Sequence, residues 1–489
     1  MKYINRYLII ILLVFVFTGC NDNFLDRTDP ETLSYDKFYT TEDDFQAALN
    51  ACYSSLKDQV ENLLTFNDEM TDNVFLHRYN ATSDLYYFDQ CNVPTSSSTI
   101  KDFWGACYSS IAYANLVITR ITGSEVSEAT QKVFTDEAKF IRAYSYFNLV
   151  RIYGGVPKYE KEITDLNEVY EVGRSSVEDI YDFIISDLTD AADIDSERTS
   201  EQAAEAKGKA TSDVVKALLG KVYLQQHDYS NAIATLSDLI TNSGLSLEEN
   251  PENLYDADDP YNNNETMLAI NYERVSGQSS PFTNWTLPKF SSGILPNVTS
   301  SDNGDGEYNI EPSILAKFSL QDKRRSLIDS ADITVGADVI RYYYTKKYLD
   351  LETTSAGYSA ADFIVLRYAD VLLMYADALN QNDQTSGAYT YINEVRSRAG
   401  LGPLPTGYTK DQMNDALANE RQLEFFLEGD RWFDLSYRGI DYLEKTLNSF
   451  FPDSYNTTDA SIEDYEELFP LPADEVDLKP DVLTQNSGY

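Results

Sequence analysis

Two histidines in 489 residues, His77 and His227, leave little from which to build a histidine-based triad or a zinc site. Neither has a second histidine at ligand spacing, and His227 reads as a surface residue at a helical turn. Basic residues are scarce as well: 38 Lys and Arg stand against 80 Asp and Glu, a formal charge of −42. Such a surface repels nucleic acid and anionic headgroups, which are held by cationic contacts. Tryptophan occurs three times, as Trp104, Trp285 and Trp432. Against these shortages stand 43% hydrophobic residues and 37 tyrosines. That content supports a large core and excludes wholesale disorder. Tyrosine also offers broad contact surfaces with a polar handle. At roughly 150 residues per domain the length suggests two or three structural units. Composition points to an acidic binding protein rather than a hydrolase.

Long apolar runs are absent after the first twenty residues. Lys2 and Arg6 precede Leu8 to Phe17 (LIIILLVFVF), which ends at Thr18-Gly19-Cys20. The run is about half the ~20 residues a membrane span needs, and it fits the apolar part of an export signal. A small residue before cysteine resembles a bacterial lipobox, with Cys20 as the lipidated (palmitate-bearing) first mature residue. Phe17, where leucine is usual, is a mild departure, and an ordinary leader with a chance cysteine is the alternative. Without Lys2 and Arg6 the mature balance is 36 basic against 80 acidic residues. Cys52, Cys91 and Cys107 remain, an odd number that allows at most one internal disulfide in an oxidising compartment. No Cys-His pairing is suggested, so all three read as structural.

Residues 21–40 read as a polar tether ending in a packed strap. From Thr41 the pattern is helical, with Phe45, Ala48, Leu49, Cys52 and Leu56 at three- and four-residue spacing. Residues 65–100 lose the period and read as an irregular, surface-type stretch. Helices are expected over Phe103–Ile121, Ser127–Tyr153 and Ser175–Ala192, followed by a charged connector over 195–209. Leu219-Gly220-x-x-Tyr223 with Ala232 and Leu236 then matches tetratricopeptide spacing, although Lys216 stands where tryptophan is usual. A weaker copy follows at Tyr375, Ala376, Leu379, Ala388 and Ile392. Such hairpins stack into a superhelix. Residues 246–361 break the pattern again, with alternating runs such as Val339–Tyr344 that suit strands. An insert of this length between helical halves is usually functional.

Five motifs then occur in order: EAKFIRAYSYFNLVRIYGGVP (Glu137–Pro157), IVLRYADVLLMYADALNQ (Ile364–Gln381), AYTYINEVRSRAGL (Ala388–Leu401), NERQLEFFLEGDRWFDLSYRG (Asn419–Gly439) and the closing LFPLPADEVDLKPDVLTQNSGY. Together they resemble the SusD/RagB family of outer-membrane nutrient-binding lipoproteins. Ser487 departs from the usual proline of the family ending. The resemblance implies an all-α fold, a tetratricopeptide-like superhelix of helical hairpins with a loop-rich ligand-binding face and few short strands. It divides the chain into a leader (1–19), a lipidated tether (20–40), an N-terminal helical region (41–245), an irregular insert (246–361) and a C-terminal helical region (362–489). It further implies a surface-exposed, lipid-anchored protein of the outer membrane that is not an enzyme and needs no cofactor. Its partners would be a SusC-like TonB-dependent transporter and an oligosaccharide or polysaccharide, or a peptide in some members; nucleic acid is not among them.

Sugar recognition needs flat apolar faces for the rings and planar polar groups for the hydroxyls. Trp104 and Trp432 fall within helical motifs and read as core. Trp285, in SSPFTNWTLPKF, lies outside every motif and is the leading stacking candidate. Phe282, Asn284 and Tyr308 are weaker candidates beside it. In the other irregular stretch Asp72, Asn73, Arg78 and Tyr79 are candidates because the family's corresponding variable loop often touches ligand. Glu420, Glu424 and Glu428 recur every four residues, as if on one helix face where a metal or an acid/base pair could form. The family pattern instead makes them structural, with Arg421 and Arg431 as available partners. Ser301-x-Asn303-x-Asp305-Gly306 faintly resembles a calcium loop, but Pro312 replaces the closing glutamate and excludes an EF-hand. No metal or catalytic constellation is assigned. A surface hydrolase and a fimbrial structural protein are the alternatives outside the family.

Overall fold

The computed structural model describes residues 39–76, 83–199, 202, 206–289, 293–298, 304–355, 357–450 and 461–489. Cys20, His77, Arg78, Tyr79, Ser301 and Asn303 lie outside the described residues. The first helix, α1 (Glu42–Leu64), opens with a reciprocal cap. The Thr41 hydroxyl accepts from the Asp44 N–H at 3.3 Å, while the Asp44 carboxylate accepts from the Thr41 N–H at 2.9 Å. Such a box satisfies two donors that a helix start leaves open, typically for about 1 kcal/mol. A single π turn, Thr65–Glu69, continues α1. Then come β1 (Val74–Phe75), α2 (Ser83–Asp89), α3 (Ser98–Ile121), α4 (Glu128–Tyr153), α5 (Leu166–Glu171), α6 (Val177–Ala191), α7 (Ser212–Gln225) and α8 (Tyr229–Asn242). Of these, α1, α3, α4, α6, α7 and α8 match the expected helices to within a few residues, whereas α2 falls in the stretch read as irregular and α5 is not among the expected helices.

The helices stack in order. α3 lies between α1 and α4, α4 packs on α6, α6 on α7, and α7 forms a hairpin with α8. That hairpin is closed at Gly220, where any Cβ would overlap the Leu236 side chain. The expected tetratricopeptide role of this glycine is therefore a matter of space.

The second half supplies β2 (Thr266–Ile270), α9 (Phe282–Thr286), β3 (Asn309–Ile310), α10 (Pro312–Lys317), β4 (Ile328–Val335), β5 (Asp338–Thr345) and β6 (Phe363–Arg367). They are followed by α11 (Tyr368–Gln381), α12 (Thr385–Arg398), α13 (Lys410–Phe425), α14 (Arg431–Ser436), α15 (Ile440–Phe450) and α16 (Ala473–Leu478). The α11–α12 hairpin is the weaker tetratricopeptide copy, with Ala388 and Ile392 buried, and α11 packs on α8 to join the two halves. The strands form three antiparallel pairs, β1·β3, β2·β6 and β4·β5. The fold is mostly helical with few short strands, as the motifs imply. Cys52, Cys91 and Cys107 are buried free thiols, and Trp104 and Trp432 are core residues. Among the described residues no helix is long and apolar enough to cross a membrane.

The charged residues of the fourth motif lie inside. Glu420 and Glu424 are on α13, but that helix ends at Phe425, so Glu428 is not on the same helix face; Leu427 before it has a φ of 54°. The three glutamates still converge, through partners other than those expected. Arg324 reaches Glu420 at 2.7 Å and Glu424 at 2.9 Å, and Arg367 reaches Glu265 at 2.8 Å and Glu428 at 2.9 Å. Lys347 pairs with Glu428 and Arg398 with Glu424. Burial pushes the Glu424 carboxyl up, but Arg398, Arg367 and Arg324 outweigh it and hold it well below the ordinary range. Arg421 instead binds Asp370 at 2.7 Å and also pairs with Asp434, and Arg431 binds Asp72. The cluster is an internal clamp between the insert and the C-terminal helices.

The stretch expected to be irregular surface from Thr65 onward is, over Thr65–Asn73, buried throughout. Several of its polar side chains are bonded to protein. Asp68 accepts from the backbone N–H groups of Leu427 at 3.1 Å and Gly429 at 3.0 Å, and from the Asn73 amide at 2.6 Å. Sequence period fails here because polar groups occupy core positions, Asp68 and Asn73 among them with their bonds satisfied.

Candidate ligand face

The insert and the N-terminal half meet at the β1·β3 pair, with Val74 opposite Ile310 and Phe75 opposite Asn309. Two short helices flank it. On one side the Asp89 carboxylate at the end of α2 accepts from the Leu76 N–H at 2.9 Å, tying α2 to the strand. On the other, the Trp285 carbonyl in α9 accepts from the Glu307 N–H at 2.8 Å, just before β3. An isolated Ser280–Ser359 bridge brings Tyr358 to the approach to α9.

Of the residues singled out from sequence, Phe282 is fully buried, with its ring 4.9 Å from Tyr348 and 5.2 Å from Phe363. Tyr308 is also buried, and its hydroxyl shares a 2.7 Å hydrogen bond with the Thr65 hydroxyl. Asp72 forms two contacts to Arg431, at 2.8 and 3.1 Å, and one to Lys317 at 3.1 Å. Asn73 accepts from the Gln422 amide at 3.0 Å. The expectation that these four lie on an exposed loop is corrected by the fold: each is enclosed with its polar atoms committed to protein, and none offers a face to a sugar. Burial alone would raise the Asp72 carboxyl, but the Arg431 and Lys317 cations hold it far below the usual range.

Trp285 and Asn284 differ. Both are half-buried. The indole rests edge-on against Phe282, centroids 5.8 Å apart, and lies 6.3 Å from Tyr308. The Asn284 carbonyl accepts from the Asp305 N–H at 2.7 Å, and its amide donates to the Asp305 carboxylate. Trp285 is thus braced from below by buried rings, with part of its surface left open.

Sequence reasoning missed Tyr86 and Tyr87 on α2, which are 48% and 37% exposed, and Tyr358, which is 45% exposed. The signal was present in DLYYFD. Leu85 and Phe88, three apart, define the buried side, so the two tyrosines between them turn outward. On one side of the ribbon α2 therefore carries outward-facing tyrosines, and on the other α9 carries the half-buried Trp285. A separate apolar cavity of about 380 Å³ lies along α3, lined by Trp104, Tyr108, Ile111, Pro157 and Tyr159. Its Tyr108 hydroxyl is already bonded to the Pro157 carbonyl at 2.7 Å. Among the described residues no group of three or more His, Cys, Asp or Glu is placed to hold a metal.

Two family models match the chain: one described as the SusD family, over residues 315–489, and one described as starch-binding associating with outer membrane, over 23–224. SusD-like protein P2 of Formosa agariphila is 25% identical over 98% of both chains. A SusD homolog from Bacteroides thetaiotaomicron superposes with a TM-score of 0.79 at 22% identity, covering 92% of this chain and 98% of that one. A laminarin binding SusD-like protein gives 0.75 at 22% identity, covering 92% and 100%. With both ends of the chain matched and its length shared with relatives throughout, the chain belongs to the SusD/RagB family.

Proposed function

We propose that the chain is a cell-surface glycan-binding lipoprotein, anchored through Cys20, that captures oligosaccharides and passes them to a SusC-like TonB-dependent outer-membrane transporter. It acts by binding and performs no chemistry of its own. The observation that carries the reading is a set of aromatic rings, exposed at Tyr86, Tyr87 and Tyr358 and half-open at Trp285, on segments next to a ribbon that is backed by buried hydrogen bonds. Rings held in advance lose little freedom when a sugar stacks on them. Family membership supports the glycan and the outer membrane, through the model described as starch-binding and the neighbour described as laminarin binding. Arg78 and Tyr79, between β1 and α2 in sequence, join Trp285 and Asn284 as proposed contacts. In this reading residues 1–19 are the leader, 20–40 the tether, and 246–361 the specificity-bearing insert between helical regions 41–245 and 362–489.

Calorimetric titration of the mature protein with a panel of oligosaccharides and peptides, with product analysis alongside, tests this. Heat with one glycan type and no turnover is expected. Heat only with peptides would move the reading to peptide import, and reproducible cleavage would overturn the binding-only role.

A further inference from the structure

The exposed tyrosines of the ligand face stand on a helix too short to hold itself. α2 has seven residues, and isolated helices below about 12–15 residues are marginal in water. Its apolar attachment is small. Among its described residues it buries Leu85 and Phe88, and the Phe88 ring meets Phe66 at 5.3 Å and Phe469 at 6.0 Å. Polar bonds at its two ends supply further attachment. At the C-terminal end the Asp89 carboxylate holds the Leu76 N–H of the ribbon and the Gln90 amide, at 2.9 and 2.8 Å.

At the other end a single carboxylate takes five hydrogen bonds from one short segment. Asp84 accepts from the hydroxyls of Ser97 at 3.0 Å, Ser98 at 2.9 Å and Thr99 at 2.6 Å. It also accepts from the backbone N–H groups of Ser98 at 3.3 Å and Thr99 at 2.8 Å. Ser98 and Thr99 open α3, where backbone N–H groups have no acceptor in their own helix and the dipole favours an anion. The ordinary cap of α3 is already in place, because the Ser97 hydroxyl accepts from the Ile100 N–H at 3.5 Å. Asp84 is therefore an acceptor sent from a second helix. Burial alone would raise its carboxyl, but the Thr99, Ser98 and Ser97 donors hold it below the ordinary range. The base it grips is firm, since α3 runs for 24 residues and packs between α1 and α4.

We propose, on the glycan reading above, that Asp84 is a positioning residue for the sugar: by fastening α2 to the start of α3 it holds the Tyr86 and Tyr87 rings in place beside the β1·β3 ribbon. A ring placed in advance loses little freedom when a sugar stacks on it, whereas a ring on a loosened helix must be ordered during binding. Asp84 acts through the tyrosines and makes no sugar contact of its own.

The test titrates the mature protein with malto-, laminari-, xylo- and chitosan hexamers and carries forward whichever gives heat. Asp84→Ala should bind that hexamer about tenfold more weakly, and Thr99→Val, which removes one bond from the α3 side, about threefold. Asp84→Asn keeps an acceptor oxygen and should retain most of the affinity. Adding Asp84→Ala to a protein that already carries Tyr86→Ala and Tyr87→Ala should weaken binding no further, because the rings it places are gone. Amide hydrogen exchange on the sugar-free Asp84→Ala protein should speed over α2 while the interior of α3 keeps its protection. Unchanged affinity in Asp84→Ala, or an equal further loss in the protein lacking both tyrosines, overturns the positioning role and leaves glycan capture standing. Protection lost throughout α3 overturns it as well, by making Asp84 a support of the scaffold. Silence of the unaltered protein with every hexamer overturns glycan capture, and the positioning role falls with it.

Discussion

Tyr86 and Tyr87 illustrate how little a surface residue contributes to the fold and how much it can contribute to a partner. Each has more than a third of its surface open, so truncation to alanine should cost under about 0.5 kcal/mol of stability. The same change should weaken glycan binding about tenfold, read by calorimetry beside a melting curve. Trp285→Ala should behave differently, because the indole also packs on Phe282 and Tyr308. A loss of ~2 kcal/mol in stability together with a loss of binding is expected, and unchanged binding would remove Trp285 from the site. Asp72→Ala should lose about 3–5 kcal/mol in chemical denaturation, because Arg431 is left buried without its anion. Aspartate in an aperiodic stretch is read from sequence as solvated. Only the arrival of Arg431 from far along the chain makes it a core residue.

Helical pairs carry the scaffold, and their spacing was legible residue by residue. The Gly220 side of α7 must lie against Leu236 of α8, so Gly220→Ala should destabilise by about 1–3 kcal/mol through overpacking, although alanine is the better helix former. A melting temperature raised by that change would mean the hairpin has room to spare. The two-residue strands β1 and β3 had no such signature. Their pairing joins Val74 to Ile310 across more than two hundred residues, and no local pattern announces so short a ladder. Asn486 in the closing motif has a similar role. Its amide donates to the Tyr153 and Phe469 carbonyls, at 3.1 and 2.7 Å, and docks the C-terminal segment onto the end of α4. Neighbouring Ser487, where the family has proline, takes no part in those bonds.

Across the whole molecule, two populations of carboxylate should give stability a maximum in mildly acidic solution. Burial lifts Asp68, Glu307 and Glu311 to about 7, well above their unfolded values. The stability they contribute is complete below the unfolded values near 4 and is lost as pH rises through about 7. Asp72 and Glu424 are shifted the other way by their cations, so their contribution is present above the unfolded values and is lost in stronger acid. The melting temperature should therefore rise from pH ~8 to ~5.5 and fall below pH ~4. Glu311→Gln should flatten the upper slope; an unchanged slope would mean that Glu311 does not titrate in that range.

Composition and five ordered motifs were enough to determine an acidic, helical member of the SusD/RagB family, because helix periodicity and motif order are local properties of a chain. Which side chains of the irregular stretches are open to solvent was decided only by the tertiary structure. Thr65–Asn73 and the insert carry polar residues whose environment depends on partners hundreds of positions away, so Asp72 and Tyr308 went inside while Tyr86 and Tyr358 came to the surface. Burial of a polar group follows from whether the fold brings it a hydrogen-bonding partner, and that is information no window of sequence contains.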